Sequence, residues 1–377
     1  MLKVFLCTTA LTGAMVSVPA YAEQTDSDAA EASQAAEEGG VGDIVVTAQR
    51  RDENLQKSAL AVSVLSGDAL TQSGVSQAQD LSKLVPALKL SSAGGGGTQV
   101  TIRGIGSFAG NPFAEPGVAI NLDGVYLPRS SGPNGLYYDL ERVEVLKGPQ
   151  GTLYGRNATA GAVNIIARKP KDEFELRANL EAGNYGKMRG ELAINVPIEG
   201  VGGFRVAGVV LRQDGYFKNG YADDDTNAFR AQFKFDQGGP FTLLLSGDYA
   251  HQGGKGSGAV IALSETGFVS SDPRLGASRD GSNVILQNVS NAITGGANPN
   301  LLPRFTEDGF IDVTNWGVSA TANYDFGGAA LTVIPAYRRN ETHYLHFNAG
   351  FPVNSDEYSK ATSLEARLAS TDKGAPL

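Results

Sequence analysis

Few residues in this 377-residue chain carry a spacing that could do chemistry. Lys147-Gly148-Pro149-Gln150-Gly151-Thr152 sets a lysine in a glycine-rich turn, which hints at a phosphate loop. It lacks the Gly-Lys-Ser/Thr ending whose amides and hydroxyl would hold nucleotide and Mg²⁺. His343 and His346, spaced i, i+3 in an expected loop, offer two imidazoles for a metal or a metal chelate. Asp223-Asp224-Asp225 offers carboxylates for Ca²⁺, although a solvated charge run fits better. No nucleophile–base pair, full metal-ligand spacing or dinucleotide fingerprint accompanies them, so no catalytic residue, metal or cofactor is expected. The remaining oddity is physical. Asp43-Ile44-Val45-Val46-Thr47-Ala48 is a β-prone run with no apolar neighbour in sequence, normally an aggregation hazard.

The compartment explains part of this. Lys3, the apolar stretch Val4–Val18 and the small residues of Ala20-Tyr21-Ala22 form a secretory leader over residues 1–22. The apolar run is shorter than the roughly 20 residues of a spanning helix. Cys7, the only cysteine, lies in that leader, so no disulfide or thiol chemistry is expected after export. Formal net charge is −9. Residues 23–43 hold seven acidic residues and no basic one. The segment is too poor in apolar area to fold, so residues 23–42 read as a disordered acidic tether. Nucleic acid is not an expected partner, because phosphates need a basic face.

Two regions follow, and their periodicities differ. Residues 52–170 read as mixed α/β: a short helix over Asp80–Val85 stopped by Pro86, and strands at Gln99–Arg103, Val118–Leu122, Arg142–Leu146 and Ala162–Ile166. From 173 to 377 the period is two. Phe174, Leu176, Ala178, Leu180 and Ala182 alternate with polar residues; so do Phe229, Ala231, Phe233 and Phe235, and Trp316, Val318, Ala320, Ala322 and Tyr324. Eight such segments of about ten residues are separated by short turns (Glu199–Gly202, Gln237–Gly239, Gly327-Gly328) and longer loops (Asp214–Thr226, His251–Asn315, Asn340–Asp356). That alternation of connection lengths, with aromatic residues at strand ends, is the outer-membrane β-barrel pattern.

Three motifs then stand together: "VTIRGIG" (100–106), "NLDGVYLPR" (121–129) and "ERVEVLKGPQGTLYGRNATAGAVNI" (141–165). Gly151, Gly155 and Gly161 in the last permit tight turns and positive φ. In order and spacing the motifs resemble the plug of TonB-dependent outer-membrane receptors. The resemblance implies an α+β plug domain followed by antiparallel transmembrane β-barrel strands, about eight of the 22 expected. It implies that charged plug residues Arg103, Glu141, Arg142, Glu144 and Lys147 face charges on the barrel wall. It implies that residues 43–48 are a TonB box, hanging into the periplasm and pairing as an added strand with the TonB protein of the inner membrane.

Plug apices at Ser107–Gly117 and Pro128–Tyr138, with Phe108, Phe113, Arg129, Tyr137 and Tyr138, are then the expected contacts for a large nutrient, a ferric siderophore being the family's commonest cargo. Outer-membrane lipid is the other expected partner. About eight strands are too few to enclose a plug, so the chain reads as C-terminally truncated. A passive porin or surface adhesin would not need residues 43–48 or 52–170; a third reading is a soluble periplasmic binding module with 52–170 folding alone, which detergent-free solubility of the mature chain would support.

Overall fold

The computed structural model describes residues 45–47, 50, 53–54, 60–92, 96–106, 115–217, 219–256, 279–348 and 351–371. At the start, β1 (Val45–Val46) pairs antiparallel with β2 (Glu53–Asn54). The next domain places β3 (Val62–Ser66), β8 (Leu140–Lys147), β9 (Gly161–Ala167), β6 (Val118–Leu122) and β7 (Val125–Tyr126) in one sheet, in that spatial order. β6 and β9 run parallel, and every residue of both is buried, as their near-continuous apolar sequences require. Their two polar members sit opposite each other: Asn121 Nδ2 donates to Asn164 Oδ1 at 3.2 Å. A second hairpin joins β4 (Leu88–Ser92) to β5 (Thr98–Ile102).

Helices are short: α1 (Gly67–Gln72), α2 (Leu81–Leu84) after a 3-10 turn at Ala78–Asp80, and α3 (Gly151–Tyr154). Ser66 Oγ accepts from Ala69 N at 3.2 Å and caps α1. Two motif glycines are turn chemistry. Asp123-Gly124 (φ 48° and 84°) closes β6 on β7 in a type I′ turn, and Arg103-Gly104 (φ 52° and 78°) turns the chain back so that Ile105 and Ile102 exchange backbone hydrogen bonds.

The second region is one antiparallel sheet of consecutive strands: β10 (Glu175–Ala182), β11 (Met188–Ile198), β12 (Gly202–Gln213), β13 (Asp224–Asp236), β14 (Phe241–Gly253), β15 (Phe310–Asp325), β16 (Ala329–Asn348) and β17 (Phe351–Ser370). The outward face is apolar: Leu180, Phe229, Val318 and Leu364 are all more than half exposed. Aromatic pairs bound it at both ends, Trp316 with Tyr337 and Tyr324 with Phe326, ring centroids 5.4 and 4.7 Å apart. Eight residues of tilted strand separate Trp316 from Tyr324, about 20 Å along the barrel axis. No described helix is long and apolar enough to cross a membrane.

The inward face carries small residues and long polar ones. Ala193, Ala207, Val209, Ala228 and Ala250 join the core that runs from Leu81 through Leu88, Ile102 and Val143, so the first domain sits directly against this wall. Two expectations about connections change. Residues 340–348 and 351–356 extend β16 and β17 to 20 residues each and are not a loop. The expected 251–315 loop contains α4 (Arg279–Thr294). Among the described residues β10 and β17 each pair on one side only, and eight strands do not close round a domain of this size.

Candidate functional site

The run that looked bare in sequence is docked. Val46 has no exposed area and packs with Ala119, Leu146, Ala158 and Ala162. Burying a valine in this way contributes about 2 kcal/mol. Thr47 N donates to Glu144 Oε1 at 2.8 Å, and its hydroxyl donates to the same oxygen at 3.1 Å. The expectation of a freely hanging strand is therefore corrected for Val45–Thr47, because an apolar side chain and a buried carboxylate both gain by the contact. Asp43, Ile44 and Ala48 lie outside the described residues.

Arg50 extends the attachment. Its guanidinium lies over the Tyr154 ring, 4.4 Å from the centroid, and Nη1 donates to Gly124 O at 3.3 Å. Nη2 lies 3.6 Å from Glu365 on β17, and Arg367 Nη1 donates to the Arg50 carbonyl at 2.7 Å. One residue thus ties the N-terminal segment to both the inner domain and the wall.

The charged residues expected to face the wall mostly face each other. Arg142 Nε donates to Glu144 Oε1 at 2.8 Å, and Arg142 also pairs with Glu141. Glu144 Oε2 accepts from Asn164 Nδ2 at 3.3 Å. These partners all lie within the inner domain, where full burial of Glu144 demands them. Arg103 is the left-handed residue of a turn and is exposed. The Lys147 side chain has no ion-pair partner among the described residues.

The wall contacts come from elsewhere. Asp139, with φ 46°, holds Arg205 of β12 through two bonds of 2.7 and 2.6 Å, and both side chains are buried. Arg205 also donates to Glu175 at 2.7 Å, while Asp139 N donates to Glu191 Oε1 at 2.8 Å. Arg189 Nη2 donates to Tyr137 O at 3.1 Å. Arg230 lies over the Tyr138 ring at 4.7 Å, its Nε and Nη2 without acceptors. Farther along, Asn134 Nδ2 donates to Gln252 at 2.7 Å and Gln77 Nε2 to Asp224 at 2.5 Å. Sequence reasoning missed Asp139. Its available signal was the inward parity of Arg189, Arg205 and Arg230, three guanidinia on adjacent strands that require a carboxylate opposite.

The expected cargo contacts separate. Phe108 and Phe113 lie outside the described residues. Arg129 is paired with Glu357 of β17. Tyr137 and Tyr138 are buried, and burial pushes both hydroxyls above the ordinary tyrosine range, so neither offers a ring to an incoming ligand. His343 and His346 are on β16, where a spacing of three puts side chains on opposite faces. His343 Nδ1 instead meets Asp356 at 2.7 Å, and no group of three metal ligands occurs among the described residues. The three aspartates also part: Asp223 accepts from Lys255 N and Gly256 N, Asp224 from Thr226 and Gln77, and Asp225 pairs with Arg212 at 2.6 Å.

The motif-bearing domain matches a family model. Residues 54–162 match the TonB-dependent Receptor Plug Domain. Among curated proteins, the ferripyoverdine receptor of Pseudomonas aeruginosa is 26% identical over 215 residues, 57% of this chain and 26% of that protein. The vitamin B12 transporter BtuB of Vibrio vulnificus is 30% identical over 177 residues, 46% of this chain and 28% of that protein. The crystal structure of the ferric yersiniabactin uptake receptor FyuA from Yersinia pestis superposes with a TM-score of 0.65 at 18% identity, covering 84% of this chain and 46% of that one. The chain spans about a quarter of the length of the curated relatives it matches. Its inner domain thus matches the plug of TonB-dependent receptors, and plug and eight-stranded sheet together take the fold of that receptor structure.

Proposed function

We propose that this chain supplies the plug and part of the wall of a receptor that takes up a large scarce nutrient, a ferric siderophore, with energy delivered by the TonB protein. The division that serves this reading is a leader over 1–22, a tether over 23–42, a TonB-binding strand at 43–48, a plug over 52–170 and wall strands over 173–377. The observation that carries it is the hold on Val45–Thr47: a two-residue strand pairing, one buried valine and one carboxylate. Such a hold is weak enough to release, and the released strand presents backbone groups that a partner can pair with. A passive pore has no use for it. The cargo class is supported by relatives named for ferripyoverdine, metal-pseudopaline and catecholate siderophores. Phe108 and Phe113 are the residues proposed to meet that cargo. Deleting residues 43–48 tests the reading. Uptake of radio-iron siderophore by whole cells is expected to fall to background while surface binding persists; undiminished uptake would favour a passive pore.

A further inference from the structure

A cavity of about 540 Å³ lies between the plug and the inner face of β14–β17. Its lining carries four cations, Arg50, Arg142, Lys169 and Arg367, and one carboxylate, Asp123. The other nearby carboxylates sit behind the guanidinia. Glu144 is buried against Arg142, and Glu365 is shared between Arg50 at 3.6 Å and Arg367 at 3.0 Å. Lys169 has no ion-pair partner among the described residues. Asp123 gives little compensation. Burial raises its carboxyl above the ordinary range, although the charges of Arg230 and Lys169 oppose that rise. One donor remains unused: Arg50 Nε is buried with no acceptor, while Arg367 Nε lies 3.0 Å from Glu365 Oε1. Buried guanidinium N–H groups normally have acceptors, and the volume is ample for one oxyanion with water.

We infer that this cavity is a binding site for an oxyanion, a carboxylate, phosphate or sulfate group, held by Arg50, Arg367, Lys169 and Arg142. The inference rests on the uptake reading only in its meaning. In an uptake receptor the site is a station for acidic groups of the cargo between plug and wall. An anion seated there also competes with Glu365 and Glu144 for Arg50 and Arg142, the two guanidinia nearest the docked strand.

The test is calorimetric titration of the purified full chain in detergent with two probes, sulfate and citrate. Binding of either is expected, weakened about tenfold by Lys169→Gln and by Arg367→Gln, since each removes one charge-assisted contact. Lys169→Arg is expected to retain it, and an unchanged proteolysis pattern shows that each variant still seats its plug. Sulfate alone binding assigns the site to a free tetrahedral anion; citrate alone assigns it to cargo carboxylates. Failure of wild-type protein to bind either probe, or equal binding in both glutamine variants, overturns the inference. The titration involves no transport, so its failure is distinct from failure of the deletion experiment.

Discussion

Arg205→Ala removes a fully buried ion pair between plug and wall. Asp139 and Arg205 have side chains 3% and 1% exposed, and their two hydrogen bonds are short and parallel. Removing the guanidinium leaves a buried carboxylate whose described neighbours include Glu191 and, through the lost arginine, Glu175. Breaking one side of a buried pair costs about 3–5 kcal/mol, most of it the uncompensated charge. Contacts of Arg189, Arg230, Asn134 and Gln77 persist, so the plug should stay folded but sit less firmly. Seating is read by hydrogen exchange at the amides of β8, which directly follows Asp139, and of β9, which pairs with it. Those that open by plug displacement should exchange about a hundredfold faster or more. The paired replacement Asp139→Leu with Arg205→Met should recover most of the loss, because no charge is then buried alone. An Arg205→Ala change below tenfold, or a double variant as loose as the single one, would refute the argument that charge burial governs seating.

Glu144→Gln should free the docked strand: a spin label on a cysteine placed at position 45 should gain mobility, and the only native cysteine, Cys7, precedes the predicted cleavage site and leaves the signal clean. Gly161→Ala should lower the melting temperature sharply, since an added Cβ would lie 2.2 Å from the Leu146 carbonyl oxygen at a φ of 149°. A shift of less than a few degrees would count against a rigid β8–β9 approach. Burial alone would raise the Asp80 carboxyl, but donors from Lys83, Ser76 and Gln77 hold it below its ordinary value of 3.8. Its contribution is therefore present above pH 3.8 and lost as pH falls through the lower folded value. Asp80→Asn should cost about 1 kcal/mol at pH 7, with the gap to wild type closing in strong acid.

The wall was legible because membrane and plug impose opposite polarity on its two faces. Phe174 to Ala182 shows that alternation, and β10 ends at Ala182 as expected. The signal fades where the lipid stops. Above Tyr337, β16 carries Arg339, Glu341 and His343 outward, so polar residues occupy both faces and an extended hairpin reads as a loop. The plug strands were legible from short apolar runs; their partners were not. Arg142 beside Glu144 in sequence gives no sign that Thr47, 97 residues away, completes the carboxylate's shell. Nor does "YYDLE" reveal that its tyrosines are buried while its aspartate reaches the wall. Parity assigns a face, and only the assembled sheet assigns a neighbour.

Arg50 and Arg367 are 317 residues apart in sequence, yet one donates to the other's backbone. The entropy of closing so long a segment must be met before that bond returns anything, and the bond cannot exist until β17 is placed. The plug sheet closes far shorter loops than that bond does, so loop entropy favours the plug sheet forming first. The last described strand thus completes the fastening of the first described segment. Until β17 is in place, the contacts that hold the N-terminal segment come from the plug alone.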